Sequence, residues 1–361
     1  MYAYLLRRIL LIPVTLLAIM LVNFVVMQFT PGGPVDQMVH RIEMARAGGA
    51  GGTGGGLTEV ASGGGGGRLM RGSRGLDPEY LAFLNKSFGF DEPAHVRFIK
   101  MMKNYLVLDF GESYFQNRPV LDIVKDKLPV SITLGLWSTL IIYLVSIPLG
   151  IRKAIRHGSA FDAWTSFIIT ICHAIPAFLF GVFLIVLFAG GRYWEFFPLR
   201  GLSSPNADTF SLWGRIKDYI WHATLPVASL VVGGFTYLTL LTKNSFLEDL
   251  GKQYVVTARA KGLTENRILY GHVFQNAMLI VISSFPSTLV GILFTGSLLI
   301  EQIFSLDGIG LLSYQAIVGR DYPIVLATLY VFSIIGLVLN LLSDLIYHLV
   351  DPRIDFESRE V

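Results

Sequence analysis

Six stretches of this chain contain no Asp, Glu, Lys or Arg: residues 9–35, 128–151, 163–191, 219–242, 268–300 and 322–343. They cover 159 of 361 residues, where a uniform 15% charge density would place about 24 charges. The other 202 residues carry all 55 charges, close to an ordinary soluble density. This segregation excludes a soluble globule, a disordered chain and a coiled coil. Each stretch is 22 to 33 residues long. A hydrocarbon core of about 30 Å takes about 20 helical residues at about 1.5 Å each. In hydrocarbon only helices and closed barrels satisfy their own backbone, and barrel strands are shorter and alternate in polarity. The sequence therefore predicts an all-α integral membrane protein with six transmembrane helices, near residues 10–29, 131–151, 164–188, 223–242, 279–300 and 323–345.

The first stretch follows Arg7 and Arg8, as a secretory signal does. Its apolar run is too long for that, and Met27-Gln28-Phe29-Thr30-Pro31 offers no small-x-small cleavage site. It is expected to stay as a helix. With the N-terminus inside, the inner segments hold 12 basic residues and the two short outer loops hold 5. The positive-inside bias thus predicts both termini in the cytoplasm. The net charge of +3 calls for no nucleic-acid partner. The single cysteine, Cys172, excludes an intrachain disulfide or a cysteine metal framework.

The organisation follows. Residues 1–30 form an N-terminal transmembrane helix, and 31–127 an extracytoplasmic (periplasmic) segment. Residues 128–351 form the helical core, and 352–361 a cytoplasmic tail. Residues 48–75 hold 14 of the 37 glycines and are expected to be a flexible insertion, too poor in apolar surface to offset backbone entropy. Beyond it, Asp77-Pro78-Glu79 reads as a helix start, and Val96, Ile99, Met102, Tyr105 and Leu106 fall at amphipathic spacing. With Tyr80, Leu81, Phe83 and Leu84 before them, they predict two short amphipathic helices that make a small folded cap on the outer face.

The longest inner connection is residues 243–278, far longer than a connector needs. Residues 254–261 are expected to be a short helix, with Arg259 and Lys261 complementing its C-terminal dipole. Gly262 supplies the left-handed residue after it, Thr264 caps the next helix, and Glu265 occupies that helix's first turn. The product is a helix–turn–helix elbow. Ala258 and Ala260 are expected to let another protein approach its backbone closely.

That elbow resembles the EAA loop of ABC-importer permease subunits, a Glu-Ala-Ala triplet followed three residues later by Gly. Val256-Thr257-Ala258 and Gly262 take those places, so the Glu and the first Ala are replaced. Thr257-Ala258-Arg259-Ala260-Lys261-Gly262-Leu263 is similar to the version in the oligopeptide/dipeptide (peptide/nickel) branch. Tyr4-Leu5-Leu6-Arg7-Arg8 with Pro13, Thr30-Pro31-Gly32, Phe304-Ser305 with Gly308-Ile309-Gly310, Arg320-Asp321-Tyr322-Pro323 and Asp351-Pro352-Arg353-Ile354 also look family-like, in order. Met278-Leu279-Ile280 lacks the proline often found there. The long outer segment is similar to that of the B-type subunit.

The resemblance implies a type I ABC-importer permease fold, with residues 128–351 as the ABC transmembrane type-1 region. It implies uptake of oligopeptides, dipeptides or peptide-like antibiotics such as microcin C across the inner membrane. Tyr254, Val256, Thr257, Ala258, Arg259, Ala260, Lys261 and Gly262 would couple to an ATPase. The implied partners are a homologous permease subunit, ATPase subunits or one fused double ATPase, a periplasmic solute-binding protein, the peptide and membrane lipid. ATP and Mg would be bound by the ATPase, leaving this chain without a cofactor. Gly262→Asp or a bulky residue at Ala258 is expected to abolish transport while leaving the chain inserted.

The residues agree that catalysis lies elsewhere. Gly251-Lys252 lacks the upstream glycine of a phosphate loop, and no His-Glu-x-x-His, Cys-x-x-Cys or Gly-x-Ser-x-Gly occurs. No catalytic or metal-ligating residue is assigned. Polar residues at membrane depth give a candidate translocation path: His173, Ser283, Ser284, Ser287 and Asn340. Thr288 falls on the same helix, and Glu301 and Asp344 read as helix-end anchors. Pro176, Pro226 and Pro286 are expected to kink their helices. The competing readings are the same scaffold importing nickel or another small solute, an intramembrane enzyme using His173 and Asp344, and a secretion or assembly scaffold.

Overall fold

The computed structural model describes residues 2–30, 33, 35–36, 38–39, 91–191, 193–291 and 297–350. The glycine-rich insertion, the Asp77-Pro78-Glu79 start with the helix expected after it, and the tail from residue 351 lie outside them. The described residues are helical: α1 (Tyr2–Phe29), α2 (Ala94–Leu106), α3 (Val120–Ile155), α4 (Ala160–Ala174), α5 (Ala177–Phe188), α6 (Leu212–Leu250), α7 (Gln253–Ala260), α8 (Glu265–Ile268), α9 (Phe274–Ser283), α10 (Phe285–Gly291), α11 (Ser297–Ile303), α12 (Ile309–Gly319) and α13 (Tyr322–Val350). A single π turn, Leu269–Val273, joins α8 to α9.

Among the described residues, four helices are long and apolar enough to cross a membrane: residues 6–29 of α1, all of α3, all of α6, and residues 322–346 of α13. The third expected span is not one rod. It is the pair α4 and α5, bent by 90°. Ile175 between them is extended (φ −87°, ψ 117°), because the ring of Pro176 disfavours a helical residue before it. Pro176 is the residue that precedes α5, where its missing N–H costs nothing. The expected span at 279–300 is also broken. α9 stops at Ser283 and α10 starts at Phe285, since Pro286 withholds the N–H that would bond the Ile282 carbonyl. Residues 292–296 of that stretch lie outside the described set. Pro226, by contrast, sits inside an uninterrupted α6.

The chain divides into two compact units. The first contains residues 1–16, 124–314 and 330–361. Its axis is α6, against which α4, α5, α9 and α11 pack. At 39 residues α6 is about 58 Å long, so it outruns a bilayer core at both ends. Near its start, Ala223, Leu225, Val227 and Leu230 pack with Leu134, Leu184, Ile300, Phe304 and Leu306. Beside that core, Glu301 is fully buried. Its carboxylate accepts from Ser131 Oγ (2.9 Å) and from the N–H of Leu311 (2.7 Å), while Ser131 Oγ accepts from the N–H of Ile309 (2.9 Å). A carboxylate on α11 and a hydroxyl on α3 thereby satisfy the open N–H groups at the start of α12. Arg8 and Asp344 form an ion pair between α1 and α13.

The second unit contains residues 17–123 and 315–329. α2 forms, but only part of the expected apolar face is covered. Phe98 packs on Phe24 at 5.3 Å between centroids, and the buried Tyr105 meets Phe110 edge-on at 4.8 Å. Ile99 and Leu106 are exposed. Asp321, of the family-like Arg320-Asp321-Tyr322-Pro323, is buried and accepts from the Ser113 hydroxyl and the Tyr114 N–H.

Candidate functional site

The elbow forms where the sequence places it. α6 runs to Leu250, Gly251 closes it, and Lys252 turns extended (φ −76°, ψ 152°) before α7 begins. Lys252 pairs with the buried carboxylate of Asp249, and that hydrogen bond raises the ammonium above its ordinary pKa. α7 ends in a Schellman motif. The N–H of Gly262 bonds the Arg259 carbonyl (2.9 Å) and that of Leu263 bonds the Ala258 carbonyl (3.3 Å). Gly262 has φ +78°, and no atom lies within 4 Å of where its Cβ would stand.

Two expectations here are corrected. Thr264 makes no side-chain capping bond. The bridge across the turn is instead Arg259 to Glu265, bidentate, with Nε to Oε1 at 2.7 Å and Nη2 to Oε2 at 3.0 Å. That guanidinium holds the Glu265 carboxyl below its usual range. Ala258 does not face outward. It is 7% exposed and packs into the chain's own core, because it shares a helix face with the fully buried Val255 three residues earlier. The outward face of α7 carries Val256, Thr257, Arg259, Ala260 and Lys261, with Tyr254 half-buried at its edge.

The inner face of the elbow is anchored. Val255, Ala258, Ile268, Leu269, Val273 and Ala277 share one apolar core with Phe246 of α6 and with Ile151 and Ala154 of α3. Ser245 Oγ donates to the Ala277 carbonyl at 2.7 Å, tying α6 to α9. Each fully buried aliphatic contributes about 1.5–3 kcal/mol, so the elbow is bound far more firmly by its core than by its exposed ion pair, which solvent screens. The π turn runs on from α8 with Leu269 and Val273 buried, an irregularity that hydrophobic spacing did not signal.

The polar candidates separate. Ser283 and Ser284, with Thr288, line a cavity of about 600 Å³ completed by Tyr237, Leu241, Ile280 and Gly291. Ser284 Oγ lies 3.1 Å from the hydroxyl of Tyr143. The aromatics Tyr143 and Tyr237 were missed, since tyrosine in an apolar helix reads as ordinary packing. His173 is not in the cavity lining. It lies exposed in the last turn of α4, just before the 90° bend. Asn340 is exposed on α13 and likewise outside the cavity lining. The Ser287 side chain falls outside the described set. Asp344, the other residue of the enzyme reading, is engaged by Arg8.

Long apolar helices, with an elbow rooted in three helices and a hydroxyl-lined cavity beside them, are the architecture of a polytopic membrane protein. Residues 146–356 match the model of the family described as binding-protein-dependent transport system inner membrane component. The chain belongs to that family, and its architecture is the type I ABC-importer permease fold. It is 58% identical over 364 residues to the inner membrane ABC transporter permease protein YejB of Escherichia coli O157:H7, covering 99% of this chain and 100% of that protein. It is 55% identical over 370 residues to the peptidoglycan transport system permease protein YejB of Agrobacterium fabrum, covering 100% of each. The oligopeptide transport system permease protein AppB of Bacillus subtilis is 32% identical over 358 residues, covering 99% of this chain and 100% of that protein.

Proposed function

We propose that this chain is the membrane subunit of an ATP-driven importer of peptides. Relatives named for peptidoglycan and oligopeptide transport share a peptide moiety in their cargo names, and the same moiety suits this chain's cavity. Tyr237, Ser283, Ser284 and Thr288 offer hydroxyls to amide groups, and Leu241 and Ile280 offer apolar surface. The subunit works beside a homologous permease subunit, with two ATPase domains below and an extracytoplasmic solute-binding protein above. ATP and Mg belong to the ATPases. Both termini are cytoplasmic. The outward face of α7 seats in a groove of the ATPase, and residues 128–351 make up the moving core.

One observation carries this reading. The elbow is a protrusion cored into α3, α6 and α9, and so is able to pass a displacement at α7 into the membrane helices. Asp at Gly262 meets open space and tolerates a left-handed backbone comparatively well, so a β-branched residue is the sharper probe. The test is labelled-peptide uptake in a strain lacking the gene, complemented by the natural chain or by Gly262→Val. Uptake restored by the first and not by the second, at equal membrane levels, is expected. Full uptake with Gly262→Val would remove α7 from the mechanism.

A further inference from the structure

Asp162, in the first turn of α4, gathers the last turn of α3 and the later part of α6. The Lys153 side chain, in the last turn of α3, has no solvent exposure, and its Nζ lies 2.9 Å from Asp162 Oδ1. The same ammonium donates to the Asp162 carbonyl (2.9 Å), Thr165 Oγ1 (2.7 Å) and Ser166 Oγ (2.7 Å). Lys243 Nζ, from α6, lies 2.8 Å from both Asp162 carboxylate oxygens. The N–H of Gly158 reaches Oδ2 at 3.3 Å, and His157 Nδ1 stands 3.3 Å from the same oxygen.

Packing presses the same three helices together. Gly150, one turn before Lys153, sits so close to α6 that a Cβ would fall 2.6 Å from Thr242 Cβ and 2.8 Å from the Thr239 carbonyl. Thr236 Oγ1 on α6 donates to the Ile169 carbonyl on α4 at 2.9 Å. Lys243 is on the helix that runs unbroken to Leu250, two residues before α7.

A buried and a part-buried ammonium around one carboxylate are a poor way to gain stability, because desolvation offsets much of the attraction and an apolar contact of equal size would do as well. What such a cluster supplies is a fixed geometry. We propose that Lys243 and Asp162 are positioning residues that clamp α3, α4 and α6 into a single lever, so that a push on α7 moves three helices instead of α6 alone. The clamp presupposes the coupling role of α7 proposed above.

The test uses the complete transporter in proteoliposomes, reading peptide uptake and ATP hydrolysis together. Lys243→Met leaves the Lys153–Asp162 pair balanced and cuts only the tie to α6. Transport per ATP is expected to fall about tenfold, with membrane level and hydrolysis held, and Lys243→Arg is expected to restore it. If Lys243→Met does not accumulate, Lys243→Gln, which keeps an N–H donor, is read in its place. Unchanged transport per ATP, or equal loss of uptake and hydrolysis, overturns the clamp. Gly262→Val separates the two ideas: inactive Gly262→Val with normal Lys243→Met refutes the clamp alone, and normal Gly262→Val refutes the coupling reading beneath it.

Discussion

Gly308 lies directly against the carboxylate of Glu301: a Cβ on that glycine would fall 2.3 Å from Oε1 and 2.7 Å from Oε2. The carboxylate has nowhere to retreat, since Ser131 Oγ and the Leu311 N–H hold it at 2.9 and 2.7 Å. Gly308→Ala is therefore expected to cost about 1–3 kcal/mol, the usual penalty for overpacking. The measurement is the thermal midpoint of the detergent-purified chain. An unchanged midpoint would show that the contact is looser than the geometry states.

The same carboxylate gives a graded pair. Glu301→Ala strands the Ser131 hydroxyl and the Leu311 N–H in a buried site, at about 1–3 kcal/mol for each unsatisfied group. Glu301→Gln keeps one acceptor oxygen and is expected to cost less. Thermal midpoints should rank natural chain, Gln, Ala; equal midpoints for the two variants would mean that the charge rather than the hydrogen bonding matters, and Ala above Gln that the site rejects an amide N–H.

Much of this was legible in the sequence. Charge-free runs located the membrane helices because hydrocarbon tolerates so few charges. Gly262 announced the elbow because a left-handed C′ residue is nearly a glycine monopoly. What escaped notice depends on pairing across distance. The charge at Lys243 marked the end of a membrane segment, yet α6 continues to Leu250, since nothing breaks it before Gly251. Lys243 and Asp162 look like loop charges until Lys153 is seen buried beside them. The inward turn of Ala258 was hidden for a related reason. A small residue on a short helix gives no sign of which side holds the core, and only the long-range contacts with α3 and α6 decide it.

Gly262 permits a second graded series, about backbone and not space. With φ +78° and open surroundings, only the conformation resists a side chain. Asn, which tolerates the left-handed region, is expected to leave uptake near normal. Ala should cost about 1 kcal/mol of elbow stability, and Val more. Uptake ranked Gly, Asn, Ala, Val supports the Schellman turn as the feature that matters, whereas loss with every substitution would point to a direct contact at the glycine itself.

The Arg259–Glu265 bridge sets a pH expectation. Glu265 is held below its usual range when folded, so its contribution is fully present above the unfolded value of about 4.3 and fades as pH falls through the lower folded value. Between pH 6 and 8 the elbow should therefore be indifferent to pH. A nitroxide on Ala260→Cys, in a Cys172→Ser background, should report constant order over that range and only a slight loosening of the turn in acid, since the buried core still holds α7. Loosening near pH 6 would assign elbow order to a different group.

Ser284 offers the most direct probe of the cavity. Its hydroxyl is 3.1 Å from that of Tyr143, which also meets the Thr288 side chain and, at a long 3.4 Å, the Val281 carbonyl. Ser284→Ala removes that link with little change of volume, at about 0.5–1.5 kcal/mol for one hydrogen bond. If peptide amides use these hydroxyls, the half-saturating peptide concentration should rise several-fold with little change in maximal rate. Ser284→Leu, which projects three extra carbons into about 600 Å³, should lower the maximal rate as well. Because Ser284 lies outside the elbow and its lysine clamp, both variants should keep their basal ATP hydrolysis. Uptake that ignores both substitutions would place the peptide's route away from α9 and α10.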